Sequence, residues 1–330
     1  MIANRMRITT GAAFLGEIFT FTASAIHALK TMIRNILSGT VRLKPRFGLS
    51  SLALACGLCW LAAVGPACTH STTAEDHLKR GDALGMKGDL DGALSEYREA
   101  LRLKPDDAEA HNNIGYALDG KGDLDGAIAE YHDALRLKSD FPDAHLNLGI
   151  ALGKKGNVDG AIAEYHDALR LKSDFPEAHL NLGIALGKKG NIDVAIVELR
   201  EALRLKPDFP DAHFNLGVAF EHKGDLDGAI AEYHEALRLD SDDADTRDNL
   251  GNALHDKGDL DGAIAQYREA LRLKPDFAGA HYNLGNALRH KGDLDGAIAE
   301  FREALRLEPD SAQARSHLDQ ALAEKATGKQ

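Results

Sequence analysis

The phrase GDLDGAIAEYHEALRL fills residues 224–239, and close copies begin at Gly88, Gly122, Gly156, Gly190, Gly258 and Gly292. Each copy starts 34 residues after the last, so seven units tile residues 74–311 without insertion or deletion. Self-similarity at this period overrides a domain count drawn from chain length, because each unit is one supersecondary piece that cannot bury its apolar face alone. Stacked neighbours can bury it, giving an array with one continuous core. Cys56, Cys59 and Cys68 all precede the units, so neither disulfides nor a zinc knuckle can hold the array together.

Let position 8 of each unit be the glycine at Gly81, Gly115, Gly149, Gly183, Gly217, Gly251 and Gly285. Positions 3, 7, 8, 10 and 11 are then apolar or small, which is one side of a helix. A glycine at position 15 suits the left-handed conformation that ends a helix. Asp or Asn at position 16 (Asp89, Asn157, Asp225) is a good N-cap for the next helix. That helix carries its stripe at positions 17, 20, 21, 24, 27 and 28, and Pro105, Pro207, Pro275 and Pro309 stop it. Where Ser139 and Ser173 replace this proline, Pro142 and Pro176 arrive three residues later. Small residues at positions 8, 20 and 27 let the helix axes approach closely.

These units resemble tetratricopeptide repeats. The family pattern W-x2-L-G-x2-Y…A-x3-F…P runs here, in one unit, as His213, Leu216, Gly217, Phe220, Ala229, Tyr233 and Ser241. The resemblance implies an all-α fold, a right-handed α-solenoid of seven 34-residue helix-turn-helix repeats plus a C-terminal capping helix. The expected plan is an export or membrane segment at 1–67, a spacer at 68–73, and repeats at 74–107, 108–141, 142–175, 176–209, 210–243, 244–277 and 278–311. The capping helix and tail take 312–330. Lys79 and the core-site Arg80 suit a solvated first unit.

In this family the first helices line the concave side of a superhelix. Position 6, on that face, is asparagine in six successive units: Asn113, Asn147, Asn181, Asn215, Asn249 and Asn283. An amide offers donors and an acceptor, so it can pair with the backbone of a peptide whatever its side chains. The row is similar to the asparagine ladder in the superhelix of O-GlcNAc transferases, which implies an extended polypeptide ligand; their catalytic region has no counterpart here. The alternative is local bonding by each asparagine. Positions 5 and 9 are apolar in three units, as Leu146, Ile150, Leu180, Ile184, Phe214 and Val218. A contiguous apolar strip marks a contact surface; burial against neighbouring helices is the competing account. At about 10 Å between helices and about 3.3 Å per strand residue, each rung would serve roughly three residues. Relatives that clamp a chaperone-tail carboxylate carry Lys and Arg at set first-helix sites. Glu177 and Asn215 stand there, which disfavours that ligand.

The N-terminal region reads as an address. Residues 49–64 are sixteen uncharged residues, preceded by Arg42, Lys44 and Arg46 and followed by Gly65 and Ala67. That is a secretory signal pattern. It also resembles a bacterial lipoprotein signal, which implies a lipidated Cys68 although Gly65 and Pro66 depart from the usual lipobox. Thr69 in place of Asp implies an outer-membrane address. An uncleaved anchor is the other reading, with a stretch slightly short for a span. Residues 1–31 hold a second apolar stretch broken by Glu17, and Met32 offers a later start.

The formal charge is −12, and because residues 1–67 hold seven Lys/Arg and one Glu, the remainder carries −18. An acidic body argues against nucleic acid and against an anionic membrane surface as partners. Histidine recurs at position 4 (His77, His111, His145, His179, His213, His281), but rungs about 10 Å apart cannot converge on one zinc ion. The near-phosphate-loop GYALDGKG lacks its Ser/Thr at Gly122 and lies inside a helical repeat. No catalytic constellation, cofactor or metal is expected. The expected function is a non-enzymatic scaffold, exported to the periplasmic side of a bacterial envelope and membrane-anchored, that binds an extended polypeptide. Two alternatives are an accessory module presenting substrate chains to a separate enzyme, and a self-associating envelope protein.

Overall fold

The computed structural model describes residues 72–328. The export segment, the 1–31 question, Cys68 and most of the spacer lie outside the described residues. Fifteen helices occur among the described residues and no strand. They are α1 (Ala74–Gly85), α2 (Leu90–Leu103), α3 (Ala108–Gly120), α4 (Leu124–Leu137), α5 (Pro142–Lys154), α6 (Val158–Leu171), α7 (Pro176–Lys188) and α8 (Ile192–Leu205), continuing as α9 (Pro210–Lys223), α10 (Leu226–Leu239), α11 (Ala244–Asp256), α12 (Leu260–Leu273), α13 (Ala278–His290), α14 (Leu294–Leu307) and α15 (Ala312–Ala326). The first fourteen form seven antiparallel pairs, one per unit, and α15 closes the stack. None of these helices is long and apolar enough to cross a membrane.

Local chemistry sets each boundary. The glycines of position 15 adopt φ between +79° (Gly88) and +90° (Gly258), a left-handed backbone that a Cβ disfavours. The chain then folds back, as when Asp123 N–H donates to Leu118 O at 3.0 Å. The side chains of Asp89, Asp123, Asn157, Asp225, Asp259 and Asp293 cap the second helix by accepting the N–H three residues on, worth about 1 kcal/mol each. Asn191 makes no such bond. Its unit has Val194 where the others have glycine, and a Cβ at Gly126 would lie 2.6 Å from the Asp123 carboxylate. The glycine leaves room for the cap and valine closes it. Pro142, Pro176 and Pro210 begin α5, α7 and α9, where the missing N–H costs nothing.

The pair itself is held by a close approach. A Cβ on Gly115 would fall 2.6 Å from the Tyr131 ring, and on Gly217 2.6 Å from the Tyr233 ring. Leu199 and Phe301 fill the same role against Gly183 and Gly285. Alanines at positions 20 and 27, such as Ala127 and Ala134, are fully buried. The core runs between units: one cluster joins Leu180, Ile196, Phe209, Leu216, Tyr233 and Leu250. First helices of adjacent units approach closely at five of the six steps, the exception being α9 and α11, and second helices at none, so the stack curves with first helices on its inner side. At the start Arg80 is exposed, and at the end α15 buries only Ala314 and Ala321.

The position 4 histidines serve this architecture. Each Nδ1 lies 2.6–2.7 Å from a glutamate of its own second helix: His77–Glu96, His111–Glu130, His145–Glu164, His179–Glu198, His213–Glu232 and His281–Glu300. Nε2 of His145, His179, His213 and His281 faces the carbonyl oxygen six residues earlier. In the sixth unit both partners change together, and Arg247 reaches Gln266 and the Ser241 carbonyl. Asp133 and Asp167 bring a third potential metal ligand near His111–Glu130 and His145–Glu164. Arg136 and Arg170 already bind those carboxylates.

Gly149→Ala should destabilise the protein by about 1–3 kcal/mol in urea unfolding, since overpacking against Tyr165 outweighs the roughly 1 kcal/mol that alanine gains in helix propensity. A second expectation concerns pH. Both ring nitrogens of His145 face acceptors, an arrangement filled only by the imidazolium, and the Glu164 hydrogen bond raises its pKa above the ordinary value against the opposing effect of burial. A raised folded-state pKa gives stability that is complete below about pH 6.5 and lost as pH climbs through the higher value. The destabilisation caused by His145→Gln should therefore be larger at pH 6 than at pH 9.

Candidate functional site

The inner face is built from positions 6, 9, 12 and 13 of the odd-numbered helices. The asparagine row lies there half-buried, and most rungs have spent one amide proton within the chain. Asn113 donates to Asp82 Oδ1 at 3.2 Å and Asn147 to Asn112 Oδ1 at 3.1 Å. Asn283 donates to both carboxylate oxygens of Asp248 at 3.1 Å. Asn181 and Asn215 turn back on their own helix, to the carbonyls of Glu177 (2.8 Å) and Asp211 (2.7 Å). Asn249 has no hydrogen-bond partner among the described residues.

For Asn147, Asn181, Asn215 and Asn283, position 5 of the preceding unit separates these fates, whereas Asn113 follows Leu78 and crosses to Asp82 at position 9. Where it is polar and buried, as at Asn112 and Asp248, the asparagine 35 residues on reaches across to it. Where it is Leu146 or Leu180, the asparagine has only its own backbone. Asn181 and Asn215 thus keep the side-chain oxygen and one N–H unspent. Burial holds the Asp248 carboxyl above its usual range, against the lowering effect of the Asn283 and Asn252 hydrogen bonds.

The apolar strip divides in two. Leu146 and Leu180 are 8% and 6% exposed and belong to the core. These two do not line the inner face as expected, because position 5 turns inward between neighbouring first helices. Phe214 is half-buried, its ring 5.9 Å from that of Tyr233. Ile150, Ile184 and Val218, at position 9, are half-buried and open onto cavities.

Four such cavities recur along the first five units, of about 300, 390, 230 and 190 Å³. Each lies between two successive first helices over the second helix between them, and each has a rung at its edge: Asn113, Asn147, Asn181 and Asn215. Exposed Tyr116 and Met86 flank the first. The position 24 tyrosines reach the same floor. Tyr97 donates to Asp82 Oδ1 at 2.9 Å, Tyr267 to Asn252 Oδ1 at 2.8 Å, and Tyr233 to Glu221. Burial pushes the Tyr165 phenol up to about 12, so it stays a protonated donor. Partial burial raises half-buried Glu221 above the ordinary glutamate value, against the lowering effect of the Tyr233 hydrogen bond.

Sequence reasoning missed these hydroxyls. Position 24 reads as core, and only the stacked geometry shows that the ring is buried while its oxygen meets the groove. Toward the C-terminal end the inner face changes character: His255 Nε2 lies 2.9 Å from His290 Nδ1, and burial and the neighbouring His255 and Arg289 lower the His290 pKa.

A TPR repeat model matches residues 81–122, 120–156, 153–190 and 251–288, and tetratricopeptide repeat models match 180–244 and 278–311. A comparison with curated proteins gives no match. Among solved structures, a chain of the APC/C hetero-tetramer Cut9–Hcn1 superimposes with TM-score 0.65 at 23% identity, over 79% of this chain and 51% of that one. This chain therefore spans about half the length of that relative. The pilF protein of Pseudomonas aeruginosa gives 0.59 at 20% identity, over 64% and 97% of the two chains. A tetratricopeptide repeat protein of Parabacteroides merdae gives 0.58 at 16%, over 76% and 98%. At these identities the likeness is one of fold.

The two kinds of rung should separate in urea unfolding. Asn147→Ala leaves the buried Asn112 oxygen without its donor and should cost about 1–3 kcal/mol. Asn181→Ala frees a carbonyl on its own helix and should cost less than about 0.5 kcal/mol.

Proposed function

Because the chain belongs to the tetratricopeptide repeat family, a scaffold for protein contacts, we propose that it holds an extended polypeptide along the inner face of the stack and performs no chemistry on it. One observation carries this reading: four cavities in register, each pairing an amide rung with a position 9 side chain, exposed Tyr116 in the first and half-buried Ile150, Ile184 and Val218 in the others. Tyr116, Ile150, Ile184 and Val218 would take alternate side chains of the bound strand. The unspent oxygens and protons of Asn181 and Asn215 would pair with its backbone. Asn113, Asn147 and Asn283 would contribute less, each being tied to a side chain of the preceding unit, and Asn249 is uncommitted. In this reading the protein is exported and tethered by residues 49–64 or by lipid on Cys68, and presents the groove on the periplasmic side; the support is the charge and apolar pattern of that segment alone.

Self-association has a separate observation in its favour. Val194 and Val197 are 50% and 61% exposed on α8, where sister units carry glycine at the first position and alanine, or Ser95 in the first unit, at the second. A dimer seen by light scattering and lost in Val197→Asp would assign that pair to a contact between copies.

The groove reading is tested by site-specific photo-crosslinking in membrane extract. A photoreactive residue replacing Ile184 should label a polypeptide partner, the label should vanish on adding Ile150→Asp, and the same probe replacing Val197 should not give it. Equal labelling from both faces would overturn the reading.

A further inference from the structure

Position 12 holds a carboxylate in two units, and each time the carboxylate serves a groove donor. Glu221 accepts from the hydroxyl of Tyr233, twelve residues on. Asp119 binds Lys154, thirty-five residues on, at 2.6 Å. In the third unit this position is Gly153. The tyrosine twelve residues on, Tyr165, and the lysine thirty-five residues on, Lys188, have no hydrogen-bond or ion-pair partner among the described residues. Both line one cavity of about 230 Å³ with Gly153, Asn181, Ile150 and Ile184. A single glycine therefore leaves two groove donors without an acceptor in one pocket.

Packing does not require that glycine. A Cβ there would meet Ala161 Cβ at 3.7 Å and Tyr165 Oη at 3.9 Å, both ordinary contacts. Its backbone is helical, where glycine weakens the helix relative to alanine. The space is thus kept open at a cost in stability, and its donors are a buried phenol, 4% exposed and held protonated, and an ammonium.

We propose that this cavity recognises an acidic side chain, a glutamate of the extended polypeptide, whose carboxylate accepts from the Tyr165 hydroxyl and the Lys188 ammonium. The proposal rests on the groove reading above and narrows its ligand. The acceptor enters from outside where Glu221 and Asp119 supply it from within. It also differs from a chain-end clamp, whose first-helix sites hold Glu177 and Asn215. The next cavity, lined by Ile192, Leu199 and Val218 beside Lys188, is one rung away. At about 10 Å per rung and about 3.3 Å per residue it takes an aliphatic side chain roughly three residues from the glutamate.

The probe is an acetylated, amidated, fluorescent seven-residue peptide with glutamate at its centre, leucine three residues to either side and serine elsewhere, compared with its glutamine counterpart by anisotropy on the full chain. The glutamate probe should bind about tenfold or more tightly, as expected for charge-assisted bonds. Lys188→Met should remove the preference. So should Gly153→Glu, which supplies the carboxylate internally, with a melting temperature no lower than the wild type's as evidence of folding. Equal binding of both probes, abolished by Ile184→Asp, would overturn the acidic pocket and leave the groove reading standing. Failure of both probes to bind would also overturn the pocket, while crosslinking from position 184 decides the groove reading independently. Displacement of the glutamate probe by free glutarate at the same concentration as by unlabelled peptide would show that the pocket takes a small dicarboxylate and would overturn the polypeptide assignment.

Discussion

The contact on which the structure depends is that of a bare glycine Cα against an aromatic or leucine side chain of the facing helix. It brings the two helices of a unit together where no Cβ fits, with Tyr131 over Gly115 and Tyr165 over Gly149 as examples. It also fixes the tyrosine along its full length. With its ring clamped between helices, the phenol oxygen emerges at one place, the floor of the inner face. In the five units where a tyrosine closes the hairpin, that residue therefore also supplies a polar atom to the groove, and folding and recognition share one side chain.

Much of the fold was legible because it is local and repeated. The left-handed glycines, the aspartate caps and the small residues at helix crossings each follow from one unit's chemistry, and seven copies in phase leave little room for another architecture. Val194 shows the limit of that legibility. A single departure from glycine deprives Asn191 of its cap bond, and only the distance between the missing Cβ and the cap shows why.

The site was less legible, for a geometric reason. Whether Asn181 or Asn147 is free to bind depends on a residue about a full period away, Leu146 or Asn112. The sequence shows six equal asparagines; the structure makes them unequal through their neighbours. The strip at positions 5 and 9 failed as a unit for the same reason. Helical phase alone places the two positions close together, yet the adjoining unit covers Leu146 and Leu180 and leaves Ile150 and Ile184 open.

Net charge and local charge point in opposite directions here, and distance decides between them. The −18 carried beyond residue 67 repels anions at long range, but at physiological ionic strength that field is screened over about 8 Å. Much of it is also committed at short range, in arginine–carboxylate pairs within second helices and in lysine–aspartate pairs that join units, such as Lys189–Asp159 at 2.6 Å. Exposed pairs of this kind contribute at most about 1 kcal/mol each, but their regularity helps fix the stacking register. What an approaching ligand meets is the residue left outside this pairing. In a repeat protein the shared positions build the stack, and selectivity resides in the positions that vary from unit to unit, as position 12 does between Gly153, Asp119 and Glu221.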